Sequence, residues 1–145
     1  MAFVRSVVQA YAQRGLPPDG ALQAAQIAPA QLQDDAGRIT ALQMELLCDH
    51  AMRELDDEGL GWFSRRLPWG SYGLLARASI SSPSLGLAVA RWCRHHGLLT
   101  DDIALSLQVD GSVATIRLHA QRDLGAFQEF CPSRSCAICW VLPAG

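Results

Sequence analysis

Residues 103–120 read IALSLQVDGSVATIRLHA, and this stretch decides the fold class. Ile103, Leu105, Leu107 and Val109 alternate with polar or small residues, the period-2 pattern of a strand with one buried face. Asp110-Gly111 is a two-residue signal for a type I′ turn. Ala114, Ile116 and Leu118 alternate on the return, which turns Thr115, Arg117 and His119 outward. The stretch predicts an antiparallel hairpin with one wet face.

Upstream of the hairpin the period changes from 2 to 3.6. Leu85, Ala88, Val89, Trp92, Cys93 and His96 share one helical face, with Arg91, Arg94 and His95 off it. Ser82-Pro83 starts this helix and Gly97 closes it. Residues 60–82 mix Pro68, Gly61, Gly70 and Gly73 with Trp62, Phe63, Trp69 and Tyr72. They predict a loop and then a buried strand over 71–80, although Leu74, Leu75 and Ala78 also fit a helical face.

Further back the cues are helical. Thr40 and Gln43 form a capping box, with Ile39 and Met44 placed as a hydrophobic staple. The helix they open runs to about Leu55 and buries Leu47, Cys48, Ala51 and Leu55. Asp56, Asp57 and Glu58 oppose its dipole, so a solvated end or a new turn is expected. Phe3, Val4, Val7, Val8 and Tyr11 mark a first helix, stopped by Gly15, Pro17 and Pro18. Asp19 caps a second over about 21–28, and Pro29 opens a very short third carrying Leu32. The expected fold class is α+β: N-terminal helices followed by an antiparallel sheet with a packed helix.

Composition bounds the rest. A chain of 145 residues that is half hydrophobic makes an ordinary globular domain. Twelve basic against 14 acidic residues give a net charge of −2, which argues against a nucleic-acid-binding surface. No apolar run approaches the 18 residues of a membrane span. Arg5 and Gln9 interrupt the apolar start, so it reads as an amphipathic helix and not a secretory leader. All 12 basic residues are Arg, and Lys and Asn are absent, as GC-rich bacterial coding would produce. Five cysteines without a leader imply reduced thiols in a cytoplasm.

Catalytic and metal patterns are thin. Cys131, Cys136 and Cys139 make C-x4-C-x2-C, which lacks the second pair of a zinc signature. A thiol or metal site completed by His119 is the alternative reading. His95 and His96 point about 100° apart on a helix and cannot grip one metal together. Ser71 lies in G-S-Y-G, which departs from the nucleophile elbow. Cys93, near His95, is another weak nucleophile candidate. Asp34/Asp35, Asp56/Asp57 and Asp101/Asp102 sit at turns and element ends. The expectation is a protein that is not an enzyme and that holds no cofactor or metal.

The aromatic middle is different. Arg65, Arg66, Trp69, Tyr72, Arg77, Arg91 and Trp92 collect rings and fixed cations. Arg77 falls in an apolar segment, where a charge needs a partner. Arg binds carboxylates bidentately, so this mix suits a pocket for a small anionic or zwitterionic molecule. The candidate ligand-binding residues are Trp69, Tyr72, Arg77 and Trp92.

Three segments together carry a family resemblance: FVRSVVQAYAQRGL, RITALQMELL and LPWGSYGLLARASISSPSLGLAVARWCRHHGLLTDDIALSL. In that order, over roughly Phe3 to Phe130, the chain resembles the N-terminal, arabinose-binding-like effector domain of AraC-type bacterial transcription regulators. The matching positions are Leu67, Pro68, Gly70, Tyr72, Gly73, Leu74, Pro83, Leu85, Gly86, Arg91 and Trp92. The resemblance implies a cytoplasmic sensor that binds a small-molecule effector and forms a homodimer. It also implies DNA contact through a helix-turn-helix domain absent from these residues, and no membrane association. Residues 1–130 are then the sensor domain. Residues 131–145 are expected to form an irregular tail, a truncated or frameshifted end where the family pattern would continue as an amphipathic helix.

Overall fold

A computed structural model describes residues 1–123 and the backbone of strand residues 135–141. The chain divides into two compact units, Met1–Trp69 and Gly70–Gly145. The class is the α+β one expected.

The first unit is helical. Helix α1 (Ala2–Gln13) turns Val4, Val7, Ala10 and Tyr11 inward, the i, i+3, i+4, i+7 stripe of an amphipathic helix. Gly15, at φ +66°, takes the left-handed conformation that lets the chain leave it. Helix α2 (Asp19–Ala24) has Asp19 in its first turn, where a carboxylate meets the positive end of the dipole. A 3-10 turn follows over Pro29–Gln33. Helix α3 (Ala41–Glu54) begins at the expected capping box. The Gln43 amide donates to Thr40 Oγ1 at 3.1 Å, and the Thr40 amide donates to Gln43 Oε1 at 3.0 Å. Val4, Val7, Tyr11, Ala21, Leu22, Ile27, Leu47, Ala51, Leu55 and Leu60 form one core.

Asp57 organises the segment after α3. It is buried, and its Oδ1 accepts from the amides of Gly59 (2.9 Å) and Leu67 (3.0 Å). Its Oδ2 accepts from the Gly61 amide at 2.9 Å and pairs with the guanidinium of Arg14, the residue that follows α1. The acids after α3 therefore do not simply meet solvent. Asp57 closes a loop whose Asp56, Leu60 and Gly61 all have positive φ, and Arg14 compensates its charge.

The second unit contains two helices and a sheet. Residues 71–80, expected as a strand, form helix α4 (Ser71–Ile80). Leu75 and Ser79, four apart, are the buried pair, and the Ser79 hydroxyl donates to the Leu75 carbonyl at 2.9 Å. Alternation would have buried every second residue; the buried positions are instead four apart, one helical turn. Helix α5 (Leu85–Leu99) starts where Ser84 accepts from the Leu87 amide at 3.3 Å. It runs two residues past Gly97, because a glycine without positive φ does not end a helix.

Strands β1 (Ile103–Asp110), β2 (Val113–Ala120) and β3 (Ser135–Val141) form an antiparallel sheet in the order β1-β2-β3. Asp110 pairs with Val113, so the turn residues are Gly111 and Ser112, one later than the Asp110-Gly111 reading. Gly111 (φ +56°) is the loop position with positive φ. The register pairs Leu105 with Leu118 and Leu107 with Ile116, giving one continuous apolar face. Bidentate pairing of Arg122 with buried Asp102, at 2.7 and 3.2 Å, ties the end of β2 to the start of β1. Within the segment read as an irregular tail, residues 135–141 are thus a paired strand. Over 135–141 the backbone is therefore strand and not the amphipathic helix of the family pattern; the rest of 131–145 lies outside the described residues.

Candidate functional site

The site is built by α4, α5 and the middle strand of the second unit. Gly70, in the left-handed region at φ +95°, precedes α4, and its carbonyl accepts from the Leu74 amide at 2.8 Å. Helical spacing from there sets Tyr72, Ala76, Ser79 and Ile80 along one side. On α5 the same spacing sets Ala88, Val89, Trp92 and His96 in a row.

Where the two rows meet, the Tyr72 and Trp92 rings stack, with centroids 6.1 Å apart and planes 13° from parallel. The Tyr72 hydroxyl lies 3.3 Å from His96 Nε2. His96 is buried, and burial holds its pKa below the ordinary histidine value. A neutral imidazole leaves a ring nitrogen able to accept the phenol proton. The Trp92 ring is thereby fixed by stacking against a tyrosine that is itself anchored at its hydroxyl.

Beside Trp92 lies a cleft of about 350 Å³, lined by Ala76, Ser79, Ile80, Ala88, Val89, Trp92 and Ile116. The space exists because three small side chains, Ala76, Ser79 and Ala88, stand on the two helices beside Trp92. Its polar demand is met internally, since the Ser79 hydroxyl is already bonded to Leu75. Such a lining desolvates an apolar group and has no acid, base or nucleophile to act on it. A second cavity of about 380 Å³ borders Cys93, Thr100, Asp101 and Gln121. Burial pushes the Cys93 thiol above its usual pKa, away from the thiolate a nucleophile requires.

Of the four residues expected to bind ligand, Tyr72 and Trp92 are brought together. Arg77 is exposed on α4, with its side chain running back past Gly73, and it makes no ion pair among the described residues. The apolar segment that contains it is a helix with an open side, so the charge meets solvent there. Trp69 ends the first unit. The Arg53 guanidinium lies 4.5 Å over its ring, and its amide donates to Asp56 Oδ1 at 2.9 Å. The sequence reading missed Ala76, Ser79, Ile80, Ala88, Val89 and Ile116 as lining residues. The helical alternative for 72–80 would have set the first three on the side of Tyr72.

The sheet register bears on the cysteines. Position 136 pairs with Leu118 and position 139 with Thr115. Three apart on one strand, these positions belong to opposite faces of the sheet. His119 pairs with position 135, on the face of position 139 but four residues along, about 13 Å at strand spacing. Cys131 and the side chains of Cys136 and Cys139 lie outside the described residues. Among the described residues no group of three or more potential ligands gathers, and no helix is long and apolar enough to cross a membrane.

Residues 15–143 match the model of the arabinose-binding domain of AraC transcription regulators, an N-terminal domain. The match takes in parts of both units and all of the sheet. The chain is also similar to the ornithine utilization regulator of Pseudomonas aeruginosa, 26% identical over 131 residues. That alignment covers 90% of the chain and 39% of the relative, so the chain spans well under half of that protein's length.

Proposed function

The chain belongs to the arabinose-binding N-terminal domains of AraC transcription regulators, and from that premise we propose that it senses a small anionic or zwitterionic effector. The reading is carried by one observation: within the matched region, the stacked Tyr72–Trp92 pair borders a preformed cleft of a size suited to a small molecule. Trp92, backed by Tyr72, forms the aromatic wall, and the exposed guanidinium of Arg77, adjacent to Ala76 on α4, takes a carboxylate. The relative's name refers to ornithine utilization, and an amino acid is a zwitterion of the class expected.

Sensing works by population shift. A ligand that binds one arrangement of the domain, or of a cytoplasmic homodimer, more tightly than another favours that arrangement. In a full-length regulator this shift repositions separate DNA-binding domains, and it can do so only by the difference in ligand affinity between the two states.

The experiment is a thermal-shift screen against amino acids, ornithine included, sugars and small carboxylates, followed by titration of the best stabiliser. A ligand held by the folded state raises the melting temperature in a concentration-dependent way. Arg77→Ala removes an exposed side chain and leaves the fold intact, so it should abolish binding of an anionic effector. Unchanged binding would remove Arg77 from the site. The same titration on Trp69→Ala asks whether the first unit contributes.

A further inference from the structure

The geometry points to a narrower ligand class for the cleft between α4, α5 and β2: the uncharged, flat ring portion of an aromatic effector, of up to two fused rings. The inference rests on the sensing role proposed above and specifies what enters the cleft.

Size comes first. A dry protein cavity of about 150 Å³ accepts one benzene, and this cleft is about 350 Å³. It therefore has room for a bicyclic ring.

Lining chemistry comes second. Ile80, Val89 and Ile116 are aliphatic, Ala76 and Ala88 supply methyl groups, and Ser79 spends its hydroxyl on Leu75. A charged or hydroxylated group placed there finds no free polar partner on this lining. A sugar or an ammonium head therefore gains nothing from these walls, whereas an apolar ring does.

Shape comes third. The aromatic wall is pre-organised, because Trp92 is stacked on Tyr72 and Tyr72 is anchored at His96. A fixed ring favours a flat partner by offset or edge-on contact, and little side-chain freedom is lost on binding. A flexible alkyl chain gains less from such a wall.

The test titrates the intact chain with 2-naphthol, indole and hexan-1-ol by calorimetry, following melting temperature in parallel. Saturable one-site binding of 2-naphthol, with Kd on the order of 1 mM or below, supports the assignment, as does weaker binding of hexan-1-ol. Ala88→Phe sets the chain's own ring in the cleft and should weaken 2-naphthol at least tenfold while the melting temperature holds or rises. Ala76→Leu is the second filling variant, in case Ala88→Phe fails to fold. Arg117→Ala, exposed on the wet face of β2, should bind as the unaltered chain does. No saturable binding, equal binding by a folded filled variant, or hexan-1-ol binding as tightly as 2-naphthol overturns the assignment. A polar effector that stabilises the chain without competing with 2-naphthol overturns the ring class and leaves the sensing role standing. A chain that binds 2-naphthol but that no effector stabilises leaves the ring site standing and overturns the sensing role.

Discussion

Asp57→Ala should be among the most damaging single substitutions in the first unit. The carboxylate accepts three backbone amides and the Arg14 guanidinium while almost wholly excluded from solvent. Removing it strands the Gly59 and Leu67 amides, both in buried hydrogen bonds, at about 1–3 kcal/mol each. It also leaves Arg14, three-quarters buried at its side chain, without its counter-charge. Allowing for rearrangement of Arg14 toward water, the expected loss is about 3–5 kcal/mol. Asp57→Asn separates the effects. Its carbonyl can still serve the Gly59 and Leu67 amides, but its NH2 then faces the Gly61 amide and Arg14, donor against donor, for about 2 kcal/mol. The assay is urea unfolding followed by far-ultraviolet circular dichroism, with the midpoint and slope fitted separately. The expected order is Asp57→Ala worse than Asp57→Asn, with strong coupling between Arg14 and Asp57 in a double-mutant cycle. A loss below about 0.5 kcal/mol for both variants, the scale of an ordinary surface change, would refute the reasoning.

Other consequences follow from single contacts. Thr40→Ala removes an N-cap and should cost about 1 kcal/mol in urea unfolding, with Thr40→Ser close to neutral. The Tyr11 hydroxyl donates to Glu54 Oε2 at 2.6 Å, and burial, followed by that carboxylate, raises its pKa above 10. Tyr11 must stay neutral to fold, so stability should fall as pH rises past the ordinary tyrosine value near 10. Tyr11→Phe should lose that alkaline slope at a cost of about 1 kcal/mol at neutral pH. His96 has the opposite sense. Its folded pKa lies below the ordinary value near 6.5, so the unfolded chain takes up the proton first as pH falls. Its contribution is therefore complete above about pH 6.5 and is lost on descending from there to the folded pKa. The difference in unfolding free energy between the unaltered chain and His96→Gln should shrink over that interval; a difference independent of pH between 7 and 5 would contradict it.

Much of this fold is legible in local pattern. The Thr40 capping box, the α1 stripe and the Ile103–Leu118 alternation each depend on residues within one element, where the physics acts at short range. The misreadings occur where local pattern underdetermines the answer. Residues 71–80 carry too few large polar residues to separate period 2 from period 3.6, and Gly73 weakens either choice. The Asp57 hub joins α1 to a loop 43 residues away, and no single-element pattern encodes such a pairing. The candidate site shows the same division. Tyr72 and Trp92 stand out as aromatic residues, but the cleft is made by Ala76, Ser79 and Ala88. Small residues record a space only once the two helices and the sheet are assembled around it.

The effector site proposed for the second unit is the α4–α5–β2 cleft. Amide hydrogen exchange, with and without the compound that most raises the melting temperature, tests it most directly. Binding at the cleft should concentrate protection in residues 72–92 and in β2 around Ile116. Protection confined to residues 1–69, with α4 and α5 exchanging as in the free chain, would contradict it.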